Sequence, residues 1–312
     1  MKAIDIVDQY VAYKQSLGQS FTTDAGILKA FCRHTGDISL QSVSKEQVKS
    51  YLNGKHQTSS FWTRKHTALD GLFRFAMFRA YVTVSPLPTG KPLLPSPLTP
   101  YIFSHTELKS LLDATPASCS RHVKIDSVVI RTLILLLYGA CLRIGEALRL
   151  TANDVDFQQN VLLIRKTKFY KSRLVPLGKD LEKALLRYIK QRNISYSDQE
   201  NSPLFCFQDG SALSQSAAQS AFSRLRRLTG IQRNDAGRYQ PRLHDLRHTG
   251  AVHRVIAWYR NGSDLTFLLP QLATYLGHIN LSSTQRYLSL TPELLHEASQ
   301  RFKDFAEEKD HE

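Results

Sequence analysis

Four short clusters in this sequence carry side chains able to hold charge or move protons. They are Gly139-Ala140-Cys141-Leu142-Arg143-Ile144-Gly145-Glu146, Lys166-Thr167-Lys168, His244-Asp245-Leu246-Arg247-His248, and Leu276-Gly277-His278 with Tyr287 downstream. Arg143 follows an apolar run and precedes Gly145, which sets its guanidinium at a bend. His244 and Arg247 are three positions apart, so on a helix they share a face and can meet one anion together. Each cluster alone is equally compatible with a structural part: an arginine on the surface, or one of 13 tyrosines in a core or at its rim. A rival chemistry exists at His244 and His248, two histidines at i and i+4 with an acid between them, the spacing of a zinc-binding helix. That pattern needs glutamate beside the first histidine. Asp245 is shorter and would reach a zinc-bound water poorly, and His253 and His278 lack a diagnostic spacing for a third ligand. No metal and no cofactor is expected.

The elements that must position these groups can be read from periodicity and punctuation. Val128 to Leu142 is the most apolar stretch; interrupted by Arg131, it falls short of the roughly 20 residues of a membrane span and reads as a buried core helix. Val155-Phe157, Val161-Arg165 and Arg173-Leu177 are short, rich in β-branched or apolar residues and separated by polar segments, which predicts a three-stranded antiparallel sheet. Gly277 allows a tight helix end before His278. Ser282-x-x-Gln285 has the form of a capping box that starts another helix, placing Tyr287 near its first turns. A last amphipathic helix is expected from Pro292 to about Lys309.

Upstream, residues 3–17 place Ile4, Ile6, Val7, Tyr10, Val11 and Leu17 at helical spacing, ended by Gly18. Further helices are expected from Thr23-Asp24 through Arg33, from Ser44 through Leu52, and from Ser59 to about Tyr81. The last carries Arg64, Lys65, Arg74 and Arg79, either a solvated face or a surface for an anion. The stretch SPLPTGKPLLPSPLTP holds six prolines and can continue neither a helix nor a central strand. The organisation expected is a helical domain over 1–85, a Pro-rich linker over 86–100 and a second domain over 101–312.

Bulk properties agree with a globular chain: 312 residues, 42% hydrophobic and 22% charged. A formal charge of +14 favours polyanions, nucleic acid first and an anionic membrane second. The excess is spread along the chain instead of being held in a tail, which suits a protein that lays both halves on a long anion. Cys32, Cys119, Cys141 and Cys206 form no CxxC pair, so reduced thiols are expected. Met1-Lys2, followed by Asp5 and Asp8, is not the pattern of a signal peptide. A cytoplasmic, bacterial, nucleoid-associated protein with no membrane partner is expected.

Taken together, the order Arg143, Lys168, His244-x-x-Arg247, His278, Tyr287 resembles the tyrosine recombinase (phage integrase) family. The stretches GACLRIGEALRL, HDLRHT and LGHINLSSTQRYL match it in residue types and spacing. The similarity covers about residues 100–305, and 1–85 looks like the family's core-binding domain by size and helix count. The fold this implies is mainly α with a small antiparallel β-sheet: a two-domain C-shaped clamp of a helical core-binding domain and an α+β catalytic domain.

By the same resemblance, Arg143 and Arg247 would hold the non-bridging oxygens of a scissile phosphate, and Tyr287 would attack the phosphorus. His244 and His278 would accept or share its proton. Lys168 would protonate the departing 5′ oxygen, and the 3′-phosphotyrosine would keep the ester's energy. The family often shows Gly-Lys-Gly at the lysine turn where this chain has Thr167-Lys168-Phe169, so Lys166 and Lys171 compete; counting back from Ser172-Arg173-Leu174-Val175-Pro176 favours Lys168. Arg64, Lys65, Arg74, Arg79, Lys166 and Lys171 are the candidate DNA contacts. The implied function is strand cleavage and rejoining for integration, excision or transposition of a mobile element. The alternative is a catalytically inactive DNA-binding regulator of the same fold. The long interval between His244 and His278 resembles the branch associated with transposons and insertion elements. The implied partners are double-stranded DNA, accessory recombinases and other copies of the chain, a dimer to tetramer on DNA joined through the C-terminal helix.

Overall fold

The computed structural model describes residues 1–36, 38–54, 59–89, 99–118, 124–165, 172–195, 202–235, 237, 239–278, 280, 282–285 and 299. The described residues divide into two compact units, those up to Pro97 and those from Leu98 onward.

The first unit is built from α1 (Ala3–Ser16), α2 (Thr22–Thr35), α3 (Lys45–Leu52) and α4 (Ser59–Phe78). Their apolar stripes meet in one core that includes Ile6, Val7, Leu28, Phe31, Val48, Leu69, Leu72 and Phe73. Truncating a ring such as Phe31, 0% exposed, would cost about 3–5 kcal/mol. Ser44 starts α3 with a reciprocal cap: its Oγ accepts from the Gln47 N–H at 3.2 Å, and its own N–H donates to Gln47 Oε1 at 2.9 Å. Gly71 lets α4 lie close to α1, since a Cβ there would run into the Tyr10 hydroxyl. The helix expected to reach Tyr81 stops at Phe78, because Ala80 turns left-handed with φ 57°.

The second unit opens with α5 (His105–Asp113) and α6 (Ser127–Gly139). As its sequence requires, α6 buries Val129, Ile130, Leu133, Ile134, Leu136 and Leu137, while Arg131 stays exposed and reaches the Leu112 carbonyl. One turn, α7 (Ile144–Ala147), then leads to β1 (Val155–Asp156), β2 (Val161–Ile164) and β3 (Arg173–Pro176). The three strands form the expected antiparallel sheet in the order β1-β2-β3, with Leu162 opposite Val155 on one side and Val175 on the other. Leu162 and Ile164 on the inward face of β2 are buried with Val175.

Five more helices are described: α8 (Lys179–Ser195), α9 (Gln215–Leu228), α10 (Asp245–Arg260), α11 (Leu265–Leu276) and α12 (Ser282–Gln285). Helices α8, α9 and α10 surround α6. Gly250 is what admits α10 so near, because a Cβ there would collide with the Tyr138 carbonyl and sit 2.8 Å from Cys141 Sγ. No helix among the described residues is long and apolar enough to cross a membrane. The expected helix over residues 292–309 lies outside the described residues.

Candidate active site

Arg143 is placed by the turn that ends α6. Cys141 takes a left-handed conformation, φ 49°, which is costly for a side chain other than glycine and reverses the chain within a few residues. Arg143 thereby becomes the residue before α7, and Glu146 folds back to cap that helix by accepting the Arg143 N–H at 3.0 Å. The guanidinium also turns inward: Nη1 donates to Glu146 Oε1 at 2.8 Å and Nη2 to the Gly277 carbonyl at 2.9 Å.

Arg247 lies in the first turn of α10 and is 2% exposed, an extreme burial for a permanent cation. Its Nη1 donates to the Cys141 carbonyl at 2.7 Å, and its Nη2 donates to the Leu276 carbonyl at 2.6 Å and meets His278 Nε2 at 3.2 Å. A guanidinium can only donate, so His278 Nε2 is the acceptor and its proton sits on Nδ1. Nδ1 in turn lies 2.9 Å from the Thr284 hydroxyl, which is fully buried on α12. Burial, followed by the charges of Arg247, Arg143 and Arg173, pushes His278 down to about 4, so the ring is neutral near pH 7.

The loop into which these donors point follows from Gly277. It caps α11 with φ 65°, as the sequence pattern predicts, and a Cβ there would also sit 2.9 Å from the Arg173 guanidinium. Ser282, predicted to cap the next helix, is itself its first helical residue.

His244 precedes α10, and its ring meets that of His248 edge to face at 4.9 Å and 87°. Burial and then the Arg247 charge lower the His244 pKa; burial and then His244 push His248 down to about 3. The zinc reading loses its general base here. Asp245 is 1% exposed and accepts from the Arg242 N–H at 2.8 Å and Arg242 Nη2 at 2.9 Å, so its carboxylate closes the start of α10. Among the described residues no group of three or more His, Cys, Asp or Glu is arranged to hold a metal ion.

Of the residues singled out from sequence, Arg143, Arg247 and His278 are thus brought into one network, with His244 close enough to feel the charge of both arginines. Lys166, Lys168, Lys171 and Tyr287 lie outside the described residues. Arg64, Lys65, Arg74 and Arg79 stand on α4 of the first unit. Arg64 reaches Asp24 and Arg74 reaches Asp70, each at 3.1 Å, and Arg79 lies over the Phe75 ring. Lys65 donates to the Tyr51 carbonyl at 2.7 Å and packs on the Tyr51 ring.

Sequence reasoning missed two residues of the network, Glu146 and Arg173. Arg173 clasps Glu146 with two bonds, Nη1 to Oε1 at 3.0 Å and Nη2 to Oε2 at 2.8 Å. Burial alone would raise the Glu146 pKa, but the bonds and charge of Arg173, with the bonds from Arg143, hold it at about 2. The spacing of Glu146 from Arg143, that of a capping box, was the available signal. For Arg173 it was a lone charge at the start of an otherwise apolar strand.

Residues 102–293 match the model of the phage integrase family. The chain belongs to that family. A Sinorhizobium fredii protein, y4rE, described as an integrase/recombinase, is 33% identical over 95% of this chain and 94% of its own length. Among solved structures, the Tn1549 transposon integrase in complex with a circular intermediate DNA aligns with 97% of this integrase-family chain and 99% of its own, at a TM-score of 0.71 and 17% identity. A lambda integrase dimer bound to a COC′ core site aligns with 91% and 97%, at a TM-score of 0.63 and 18% identity. The mainly helical fold with a small antiparallel sheet is that of these integrases.

Proposed function

We propose that this chain cleaves and rejoins DNA strands at specific sites through a 3′-phosphotyrosine link at Tyr287, in the movement of a mobile element. The observation that supports this most is the meeting of Arg143, Arg247 and a neutral His278 at the end of α11, a few residues before Tyr287, in a chain of the phage integrase family. Two fixed guanidiniums suit the non-bridging oxygens of a phosphodiester and the extra charge of its five-coordinate transition state.

In this reading the Tyr287 oxygen bonds to phosphorus as the P–O5′ bond breaks. Tyrosine ordinarily ionises near 10, so the proton must pass to a neighbour as the bond forms. His278 and His244 are the groups to take or share it, His278 by giving up the bond its Nε2 accepts from Arg247. Lys168 gives a proton to the departing 5′ oxygen. The new ester keeps the energy of the old one, so a free 5′ hydroxyl reverses the step without ATP.

The first unit serves as the core-binding domain, with Arg64, Lys65, Arg74 and Arg79, and Lys166 and Lys171 of the second unit, as DNA contacts. Copies of the chain assemble on double-stranded DNA, as lambda integrase does as a dimer on its core site, through the helix expected over 292–309. Transposition is one such movement, and the Tn1549 integrase, similar in fold, was solved on a circular intermediate DNA.

The test is incubation with a nicked duplex carrying the recombination site, taken from DNA flanking the gene. A covalent protein–DNA adduct should form and should vanish in Tyr287→Phe while DNA binding persists. An adduct that survives Tyr287→Phe overturns the nucleophile. Binding with no adduct in the unaltered chain would favour a DNA-binding regulator.

A further inference from the structure

All three nitrogens of Arg173 are engaged by protein. Nη1 and Nη2 clasp Glu146, and Nε donates to the Tyr275 carbonyl at 3.1 Å. The side chain is only 12% exposed.

Its partners form a pattern. Three successive carbonyls at the end of α11 are each taken by a different arginine: Tyr275 by Arg173, Leu276 by Arg247 and Gly277 by Arg143. The C-terminal end of a helix carries partial negative charge, so three guanidiniums there are electrostatically favoured. The same three arginines share one buried carboxylate. Glu146 is bonded to Arg143 and Arg173, and its Oε2 lies 3.9 Å from Arg247 Nη1. With Arg173 saturating Glu146, less of that carboxylate's charge is left to draw Arg143 and Arg247 inward, and the two keep an excess positive charge for an incoming anion.

We propose that Arg173 is a positioning residue for strand cleavage, acting through Glu146 and the Tyr275–Gly277 carbonyls to hold Arg143 and Arg247 in place for the phosphate. This rests on the recombinase reading above. Loss of Arg173 would free Glu146 to pull the two arginines onto itself. Lysine cannot reproduce the two-pronged clasp on Glu146 together with the bond to Tyr275.

The test compares single-turnover cleavage of nicked DNA by the unaltered chain, Arg173→Gln and Arg173→Lys, with DNA affinity and thermal unfolding measured alongside. Cleavage of the natural phosphodiester should fall about 100-fold in Arg173→Gln and nearly as far in Arg173→Lys, with affinity within about threefold. Two altered substrates separate the routes. A neutral methylphosphonate at the scissile position lessens the need for arginine charge, so the deficit should shrink there to about tenfold or less. A bridging 5′-phosphorothiolate releases a thiolate that needs no proton, so the deficit should stay near 100-fold. Wild-type rates in both variants would overturn the proposal, as would recovery on the phosphorothiolate or an equal deficit on all three substrates. If Arg173→Gln does not fold, Arg173→Lys carries the same comparison, and Glu146→Gln supplies the second variant, with the same substrate pattern expected. No adduct from the unaltered chain would sink the recombinase reading itself; a normal adduct with unaffected variants sinks only the role of Arg173.

Discussion

Arg64 and Arg74 in the first unit and Arg143 and Arg173 in the second all face carboxylates, yet under different physics. Arg64 meets Asp24 and Arg74 meets Asp70 at 3.1 Å with arginine side chains 53% and 75% exposed. Glu146 holds its two arginines at 2.8 Å with its own side chain 3% exposed. Water screens the first kind, and such pairs contribute between nothing and about 1 kcal/mol. It is kept from the Glu146 carboxylate, although Arg143 itself is 37% exposed, and a missing partner leaves that buried charge uncompensated. The surface pairs can be exchanged for other contacts; the buried set fixes where guanidiniums stand.

The sharpest way to break this contrast is Glu146→Ala. Arg143, Arg173 and Arg247 would then face one another without their shared anion, and the second unit should lose about 3–5 kcal/mol in urea unfolding. A loss below about 1 kcal/mol would mean that the cluster behaves like the surface pairs.

Acid should erode the second unit next. Burial holds His278 and His253 near 4 and His248 near 3, below the ordinary 6.5. Because the fold disfavours the charged rings, their stabilising effect is complete above about 6.5 and is lost as pH falls toward 4 and then 3. Each contributes roughly 1–2 kcal/mol after allowance for partial exposure. Glu146 adds to the slope only below about 4.5, since its folded pKa is about 2. Unfolding midpoints from pH 7 to 4 should fall steadily, and His253→Gln, outside the arginine cluster, should flatten the curve; an unchanged slope would remove His253 from the account.

Gly277→Ala should cost about 2 kcal/mol, part for a side chain at φ 65° and part for displacing Arg173, whose Nη1 lies 2.9 Å from the new methyl position. If Arg173 swings away freely, only the conformational part, about 1 kcal/mol, will register in the unfolding midpoint.

These effects also mark what could be read from sequence. Short apolar, β-branched runs between polar segments specified β2 and its partners, the run from Val129 to Leu137 specified α6, and Gly277 announced its own turn, because each obeys a local rule of composition, period or backbone conformation. Arg143, Arg247 and His278 were legible as a set through motif spacing. The clasp of Arg173 on Glu146 was not, since it joins β3 to α7 across the fold and no periodicity relates them. Asp245 shows the converse: already too short in sequence for the acid of a zinc helix, it is consumed by the backbone and guanidinium of Arg242.

The smallest expected effect tests the other side of the comparison. Arg74→Gln removes a cation that is 75% exposed and paired within its own helix, so the unfolding free energy should move by no more than about 0.5 kcal/mol. If α4 faces DNA, the same change should lower the slope of log affinity against log salt by about 0.9, one phosphate contact. Arg143, proposed to hold the scissile phosphate, should lower that slope as well, but unlike Arg74 it also couples to stability through Glu146. A stability loss above 1 kcal/mol in Arg74→Gln, or an unaltered salt slope, would show that exposure does not tell which arginines the fold depends on.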